Sequence, residues 1–243
     1  MKDVILKVQS NKKIAKNTYE MILGGDISHI TAPGQFVNIK LDGFYLRRPI
    51  SVCDAKDGLL TIIYKAVGKG TEKMAEMSGG EELLTLTGLG NGYTTEKSGD
   101  KPLLIGGGAG VPPMYMLAKK LISEGKRPAV ILGFGSADEF FYEAEFSALG
   151  CEVLVTTVDG SYGIRGFVTD AMSKVDYTYF YTCGPEPMLK AIYDKSETAG
   201  QFSFEERMGC GFGACMGCSC KTKYGNKRIC RDGPVLGKEE IIW

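Results

Sequence analysis

Five of the eight cysteines lie within a stretch of twenty-one residues near the end of the 243-residue chain. Four of them have the spacing C-x4-C-x2-C-x11-C, namely Cys210, Cys215, Cys218 and Cys230. This spacing is typical of a plant-type 2Fe–2S cluster, in which four thiolates hold two irons. Glycines and an alanine between the cysteines leave room for backbone N–H groups to approach sulfur. The stretch therefore predicts a redox centre, with Cys220 as a spare cysteine.

Two other uses of these cysteines fit the spacing less well. A structural zinc site usually takes two ligands from each of two knuckles, whereas three of the four candidate ligands here fall within nine residues. A disulfide framework is typical of exported proteins, and the N-terminal sequence does not resemble a secretory signal. The crowded cysteines instead indicate a reducing compartment, so we expect a cytoplasmic protein.

The composition limits the possible partners. Lys plus Arg and Asp plus Glu are balanced at 29 each, so no net field favours nucleic acid or an anionic membrane. No apolar run reaches the ~20 residues that a membrane-spanning helix needs. A single histidine, His29, argues against histidine-based acid–base catalysis and against a zinc hydrolase.

Short segments rich in branched and aromatic residues recur through residues 1–98. Gly, Asp or Pro separates them, as is typical of strands. Short strands with no long helix between them predict a closed antiparallel β-barrel. The predicted strands are 4–9, 18–23, 35–41 and 59–65, and the one predicted helix is 71–77.

Two motifs of this barrel could bind phosphate. The first is 46–51, Leu-Arg-Arg-Pro-Ile-Ser, where a guanidinium and a hydroxyl share an extended segment that Pro49 stiffens. The second is 68–71, Gly-Lys-Gly-Thr, where backbone N–H groups at a helix start form an anion site. The alternatives are a surface arginine at a strand end and an ordinary glycine-rich turn with Thr71 as N-cap.

Together, in this order and on this type of barrel, the two motifs resemble the FAD domain of the ferredoxin–NADP reductase superfamily. The resemblance implies that Arg48 binds the FAD pyrophosphate and that Ser51 hydrogen-bonds the flavin ring. It implies further FAD contacts at Pro49, Ile50, Ile63, Tyr64, Lys65, Gly70 and Thr71. The superfamily usually has an aromatic residue where Ile50 stands, so the packing on the flavin ring is left open. The segment 88–93 is either a loop over the flavin or cluster, or a plain hairpin.

Apolar strands alternate with helical patterns between residues 99 and 200. This alternation predicts a parallel sheet whose ligand sites lie at the carboxyl ends of the strands. The predicted strands are 101–108, 129–133, 153–157 and 179–183, and the predicted helices are 111–124, 140–149, 168–172 and 186–193.

A glycine-rich run, 106–113, follows the first of these strands. It lacks the last glycine of the G-x-G-x-x-G fingerprint, because Val111 stands there. It matches the G-x-G-x-x-P version of the reductase superfamily at Gly108, Gly110 and Pro113. The resemblance implies that this backbone, at a helix start, approaches the pyrophosphate of a dinucleotide.

Cys183 begins a Cys-Gly-Pro element at the end of a predicted strand. The same resemblance places this cysteine near the nicotinamide, and a buried core cysteine is the alternative. The chain after the strand 129–133 carries Asp138 and Glu139 and no base. A 2′-phosphate would need a base there, so the sequence favours NAD over NADP.

The order of these segments resembles the electron-transfer subunit family of B-type, NAD-dependent dihydroorotate dehydrogenases, over essentially the whole chain. It implies an FAD-binding β-barrel domain at 1–98, an NAD-binding α/β domain at 99–200 and a 2Fe–2S domain at 201–243. It also implies a partner, the FMN-containing catalytic subunit, in a heterotetramer with two copies of each. The alternatives are an NAD(P)H:ferredoxin oxidoreductase, a sulfide dehydrogenase-type subunit, and a zinc-bearing NAD-binding regulator.

Overall fold

Six antiparallel strands close into a barrel in the computed structural model, which describes residues 1–243. Val4, Leu6 and Val8 alternate with exposed residues along the first strand, so one face of that strand lines the barrel interior. The strands are β1 (Lys2–Ala15), β2 (Thr18–Gly24), β3 (Phe36–Ile39), β4 (Arg48–Lys56), β5 (Leu59–Lys65) and β6 (Glu82–Leu89). Their order around the barrel is β1-β2-β5-β4-β3-β6. Helix α1 (Lys69–Ala75) lies between β5 and β6 in the chain, and its Met74 is fully buried in the barrel core.

A seven-stranded sheet follows. Its first strands are parallel and almost continuously apolar, because helices cover both faces. They are β7 (Pro102–Gly107), β8 (Ala129–Phe134), β9 (Glu152–Thr157), β10 (Ile164–Arg165), β11 (Tyr179–Cys183) and β12 (Gly200–Ser203). The helices between them are α2 (Pro112–Ser123), α3 (Glu143–Ala148), α4 (Val168–Met172) and α5 (Glu186–Lys195).

The C-terminal segment is attached to this sheet. A hairpin of β13 (Ser219–Thr222) and β14 (Gly225–Arg228) leads to the short helix α6 (Ile229–Asp232) and then to β15 (Val235–Gly237). Strand β15 pairs antiparallel with β12 and completes the order β10-β9-β8-β7-β11-β12-β15. Because β12 also pairs with β11, Ser203 lies between Cys183 and Val235.

The architecture predicted from the sequence is confirmed: an antiparallel barrel, a parallel α/β sheet and a C-terminal cysteine segment. The pattern missed β4 as a strand and missed β6 altogether. The hairpin alternative for 88–93 is wrong, since the chain passes from β6 into β7 of the other sheet. The three domain boundaries stay a prediction. No helix of the structure combines the length and the apolar composition needed to cross a bilayer.

Phe202 holds β12 in the sheet, and its truncation tests that role. Its ring is fully buried and meets Phe180 edge-on, with 5.2 Å between centroids. We expect Phe202→Ala to lower the free energy of unfolding by about 3–5 kcal/mol, through lost burial and the cavity left behind. Urea or thermal unfolding followed by circular dichroism measures the change. Tyr45→Ala is the matched control, because Tyr45 is 100% exposed and should leave the midpoint unchanged.

Candidate functional site

A cleft of about 270 Å³ opens between the barrel, Ala109 of the glycine turn before α2, and the segment after β12. We call it the barrel cleft. Seven residues that the sequence assigned to FAD line it, namely Pro49, Ile50, Ser51, Ile63, Tyr64, Lys65 and Thr71. They come from β4, β5 and α1, so the barrel brings separate motifs to one wall. The sequence did not predict Phe36, Val67, Ala109, Ser203, Phe204, Glu205, Glu206, Met208 or Pro234, which complete the lining.

Arg48 and Gly70 lie against each other beside this wall. The Arg48 guanidinium stands 4.4 Å above the Phe44 ring and donates to the Leu46 carbonyl. A Cβ built on Gly70 would overlap that guanidinium, so Gly70 leaves the space in which the Arg48 side chain lies. The two motifs are thus one structural unit, although neither residue lines the barrel cleft directly.

The Thr71 hydroxyl is engaged with the backbone at the start of α1. It accepts from the N–H groups of Val67 and Gly68, at 3.1 and 3.3 Å, and donates to the Gly68 carbonyl. The N-cap itself is Gly68, so the prediction of Thr71 as N-cap is wrong: Thr71 is the third residue of the helix and its side chain reaches back to the cap. Phosphate binding by 68–71 stays a prediction.

Ile50 stands where the superfamily usually has an aromatic residue that packs on the flavin ring, and two other aromatic residues lie in the cleft wall instead. Phe36 and Phe204 are the phenylalanines of the cleft wall, and both were missed because they lie on β3 and after β12, outside the motifs. Tyr64 is turned inward: its hydroxyl donates to Asn11 at 2.9 Å. Burial raises the pKa of Tyr64 to about 12, so this phenol stays neutral.

A second cleft, of about 500 Å³, lies at the carboxyl ends of β7, β8, β9 and β11, where a parallel sheet binds its ligands. We call it the sheet cleft. Gly108 lines it, as predicted from the glycine motif, but Gly110 and Pro113 do not. Gly110 packs so closely on the Cys183 carbonyl that any Cβ would overlap it, and Pro113 is buried in the first turn of α2. These two residues shape the turn that presents Gly108.

Cys183 is 1% exposed and lines neither cleft. Burial raises the pKa of its thiol, the Glu205 carboxylate raises it further, and the Ser203 hydroxyl opposes them. The thiol is therefore neutral. Its carbonyl contacts Gly110, which links the end of β11 to the glycine turn. The predicted catalytic role of Cys183 stays a prediction.

Lys65 joins the two clefts, since it lines both of them. Its ammonium pairs with Glu139 at 3.0 Å, and this ion pair connects β5 of the barrel to the loop after β8. Lys65 is the only base in the lining of the sheet cleft. Asp138 pairs with Lys16 at 2.9 Å. With the one base already paired, the cleft offers no free cation for a 2′-phosphate, which agrees with the preference for NAD.

The cysteine loop surrounds Cys210 with backbone donors. The N–H groups of Phe212, Ala214 and Cys215 point at Cys210 Sγ from 3.5, 3.2 and 3.4 Å, and the Cys210 N–H points at Cys215 Sγ from 3.5 Å. Burial raises the pKa of the Cys210 thiol, but these donors outweigh it and bring that pKa down to about 6. The loop therefore stabilises a thiolate, the form that binds metal.

The other two predicted ligands form a second pair. The Cys230 N–H lies 3.4 Å from Cys218 Sγ, and both residues are 2% exposed. Burial and the neighbouring Cys218 raise the pKa of Cys230 to about 12. Cys210 with Cys215 and Cys218 with Cys230 are thus two neighbouring pairs, and the four thiolates of a 2Fe–2S cluster serve two irons.

Residues from outside the loop support it, and sequence motifs gave no sign of them. Asn38 on β3 donates to the Cys210 carbonyl at 3.3 Å. Arg228 donates to the Gly213 carbonyl at 2.9 Å and pairs with Asp232 at 3.0 Å. Cys220 lies on β13 and packs against the same apolar core as Cys218 and Cys230, so its part as a spare cysteine stays a prediction.

Two family models match the chain. The iron-sulfur cluster binding domain of dihydroorotate dehydrogenase B matches residues 205–242, and the oxidoreductase NAD-binding domain matches residues 104–194. A Fusobacterium nucleatum protein named "Dihydroorotate dehydrogenase B (NAD(+)), electron transfer subunit" is 46% identical over 253 residues, covering 96% of both chains. The chain belongs to this family.

Other members agree. Proteins of the same name from Shouchella clausii and Bacillus pumilus are 42% and 44% identical and cover 98% and 99% of this chain, and 97% and 98% of their own. A solved structure of an NADH-dependent reduced ferredoxin-NADP oxidoreductase superposes with a TM-score of 0.90 at 31% identity, over 99% of this chain and 90% of its own. A Neisseria gonorrhoeae ferredoxin NADP+ reductase superposes with a TM-score of 0.70 at 17% identity, over 80% and 90%, and shows the fold alone.

The contact between Arg48 and Gly70 predicts that a methyl group added at position 70 weakens FAD retention. We expect Gly70→Ala to displace the Arg48 guanidinium, since a flexible side chain yields before the backbone does. The variant should fold but release flavin on gel filtration, as should Arg48→Ala. Gly68→Ala is the matched control: its Cβ meets nothing within 4 Å, and its backbone is extended. Equal flavin retention in both glycine variants would contradict the assignment of Arg48.

Proposed function

We propose that this chain is the electron-transfer subunit of a dihydroorotate:NAD+ oxidoreductase of de novo pyrimidine (UMP) biosynthesis. Electrons from the FMN of a partner subunit that oxidises dihydroorotate pass through a 2Fe–2S cluster and FAD to NAD+. The observation that carries the proposal is one short segment, 203–208. It forms a wall of the barrel cleft and leads directly into the cysteine loop at Cys210. Family membership over nearly the whole chain supports it.

In this proposal each site holds one group. Cys210 and Cys215 hold one iron, and Cys218 and Cys230 hold the other, following the two sulfur pairs. The barrel cleft holds the flavin and the sheet cleft holds NAD. Lys65, which lines both clefts, marks where the nicotinamide would meet the flavin.

The chemistry requires a flavin between the other two groups. FAD, when bound, exchanges hydride with a nicotinamide and single electrons with a cluster. The chain's own residues bind the FAD and orient its flavin ring. Arg48 supplies fixed positive charge for the pyrophosphate, and Ser51 offers a hydroxyl to the flavin ring. The neutral Cys183 and Tyr64 add no charge near either ligand.

Two further features belong to the proposal. The partner is the FMN-containing catalytic subunit, in a heterotetramer of two copies of each chain, and the complex is cytoplasmic. The subunit naming of the relatives supports a catalytic partner, and the unpaired cysteines agree with a reducing compartment. The mass of the purified complex, from light scattering, tests the stoichiometry.

A second candidate is an NAD(P)H:ferredoxin oxidoreductase or a sulfide dehydrogenase-type subunit. The structural match to the ferredoxin-NADP oxidoreductase over 99% of this chain favours it. Related transhydrogenase subunits tend to carry Asp as the first cluster ligand, whereas this chain has Cys210. The higher identity to the dihydroorotate dehydrogenase B subunits, 42–46% against 31%, also argues for the first candidate.

The cluster ligands can be tested with two cysteine variants of the same loop. We expect Cys215→Ser to lose the cluster and electron transfer to the partner while FAD remains bound. Cys220→Ser should keep the cluster, since Cys220 lies outside the C-x4-C-x2-C-x11-C ligand spacing. Iron analysis and the electron paramagnetic resonance spectrum of the reduced protein give the readout. A Cys215→Ser variant with a full cluster would overturn the ligand set.

The pathway is tested by mixing this chain with an FMN-type dihydroorotate-oxidising subunit from the same source. We expect NAD+-dependent orotate formation that requires both proteins. If the chain instead oxidises NADH with ferredoxin and does not couple to the dihydroorotate subunit, the second candidate is correct. The flavin and cluster assignments would stand in that case.

A further inference from the structure

Strand β3 has two faces with different neighbours. Val37 and Ile39 point inward and are fully buried in the barrel core. The alternate residues, Phe36 and Asn38, therefore point outward. Phe36 lines the barrel cleft and also belongs to the apolar core that contains two of the predicted cluster ligands. The outer face of β3 is thus shared by the barrel cleft and the cysteine loop.

Asn38 connects this face to the loop. It is 1% exposed, and its amide donates to the Cys210 carbonyl at 3.3 Å. Gly211 has a φ of 80°, and a Cβ there would lie 2.4 Å from Asn38 Nδ2, so glycine lets the loop approach β3 this closely. Across the strand pair, Asn38 stands opposite Pro49 of β4, which lines the barrel cleft. Asn38 therefore links one end of the cysteine loop to the strands that form the cleft wall.

The oxygen of the same amide has no hydrogen-bond partner, although it is buried. A buried acceptor without a partner lowers stability, and an apolar side chain of the same shape would avoid that cost. What asparagine offers here, and leucine does not, is the donor to the loop. The stability of β3 alone thus does not account for Asn38, whereas the link to the cysteine loop does.

We propose that Asn38 is the positioning residue between the flavin site and the cluster site. By fixing the Cys210 end of the loop on the outer face of β3, it sets the geometry in which single electrons pass between the two sites. Each step moves one electron: one group is oxidised, the other is reduced, and no bond forms or breaks. The inference rests on the proposed function for the identity of the two groups, FAD and the 2Fe–2S cluster, and not for the partner subunit.

The test uses the full chain loaded with FAD and cluster. A light flash on a deazaflavin photoreductant injects one electron, and absorbance follows the equilibration of that electron between flavin and cluster. We expect Asn38→Leu to slow this equilibration about 10- to 10²-fold, since small displacements of a positioned group have effects of that size. The midpoint potentials of both groups, from a redox titration, should equal those of the wild type, because Asn38 donates to a carbonyl and not to a cluster sulfur. Lys40→Leu is the matched control: Lys40 lies two residues further along the chain and is exposed, so the wild-type rate is expected.

The same contact can be tested from the loop. Gly211→Ala places a methyl group against Asn38 Nδ2 and should slow the equilibration as Asn38→Leu does. Gly225→Ala is its matched control, because Gly225 also has a positive φ, 104°, but a Cβ there meets nothing within 4 Å. Iron and flavin content, measured for each variant, show whether both sites are loaded.

A further readout needs no cluster. In hydrogen exchange followed by mass spectrometry, the cluster-free chain should exchange the backbone amides of 210–215 faster in Asn38→Leu than in the wild type and in Lys40→Leu, because the loop has lost its bond to β3. This measurement also applies to a variant that assembles no cluster.

Four results would overturn the proposal: wild-type equilibration in Asn38→Leu or Gly211→Ala, equal slowing in Lys40→Leu, a slower rate accompanied by shifted midpoint potentials, or unchanged hydrogen exchange of the loop. None of these measurements uses a dihydroorotate subunit. Failure to couple with that subunit would remove the pathway assignment and leave the role of Asn38 standing, whereas a chain that held no flavin or no cluster would remove the proposed function itself.

Discussion

The side chain of Asn91 makes the two backbone hydrogen bonds to Val235 that a neighbouring strand would otherwise make. Its amide donates to the Val235 carbonyl at 2.8 Å and accepts from the Val235 N–H at 3.1 Å, while its own N–H donates to the Gly233 carbonyl at 2.8 Å. Gly90 beside it has a φ of 79° and packs so closely on Pro234 that a Cβ would overlap it. These bonds hold the C-terminal segment against the end of the barrel, and β12 holds it against the sheet. The cysteine loop leaves from β12 on one side of this junction and returns to β15 on the other, and Ser203 and Pro234 of the junction line the barrel cleft, so both of these sites depend on it.

The junction determines how the clefts share residues. The barrel cleft takes walls from the barrel, from Ala109 of the glycine turn and from the segment after β12. The Lys65–Glu139 pair and the pair of Lys119 with Asp54, at 2.6 Å, join the barrel to the α/β sheet. Both pairs are partly buried, so water screens them less than it screens surface pairs. A flavin between a cluster and a nicotinamide requires this arrangement, since one group must approach both others.

The sequence predicted those parts of the fold and of the sites that patterns among neighbouring residues encode. Cysteine spacing, strand alternation and the two phosphate motifs are local patterns, and each corresponds to an element of the structure. Asn38 and Asn91 escaped prediction because each contacts residues more than 140 positions away. Glu205 was not predicted as a lining residue of the barrel cleft, because a single acidic residue forms no sequence pattern. The prediction for the glycine motif holds only in part. Gly110 packs against the Cys183 carbonyl and does not line the sheet cleft.

The two cysteine pairs, Cys210 with Cys215 and Cys218 with Cys230, have different surroundings. Cys210 receives three backbone donors, so its thiolate is stabilised by the loop itself. Cys230 is buried in apolar surroundings that favour the neutral thiol. The charge of a bound metal reverses that preference, because a coordinated thiol loses its proton. The loop itself thus stabilises the thiolate of Cys210, whereas Cys230, which lies on α6, would become a thiolate only on binding metal.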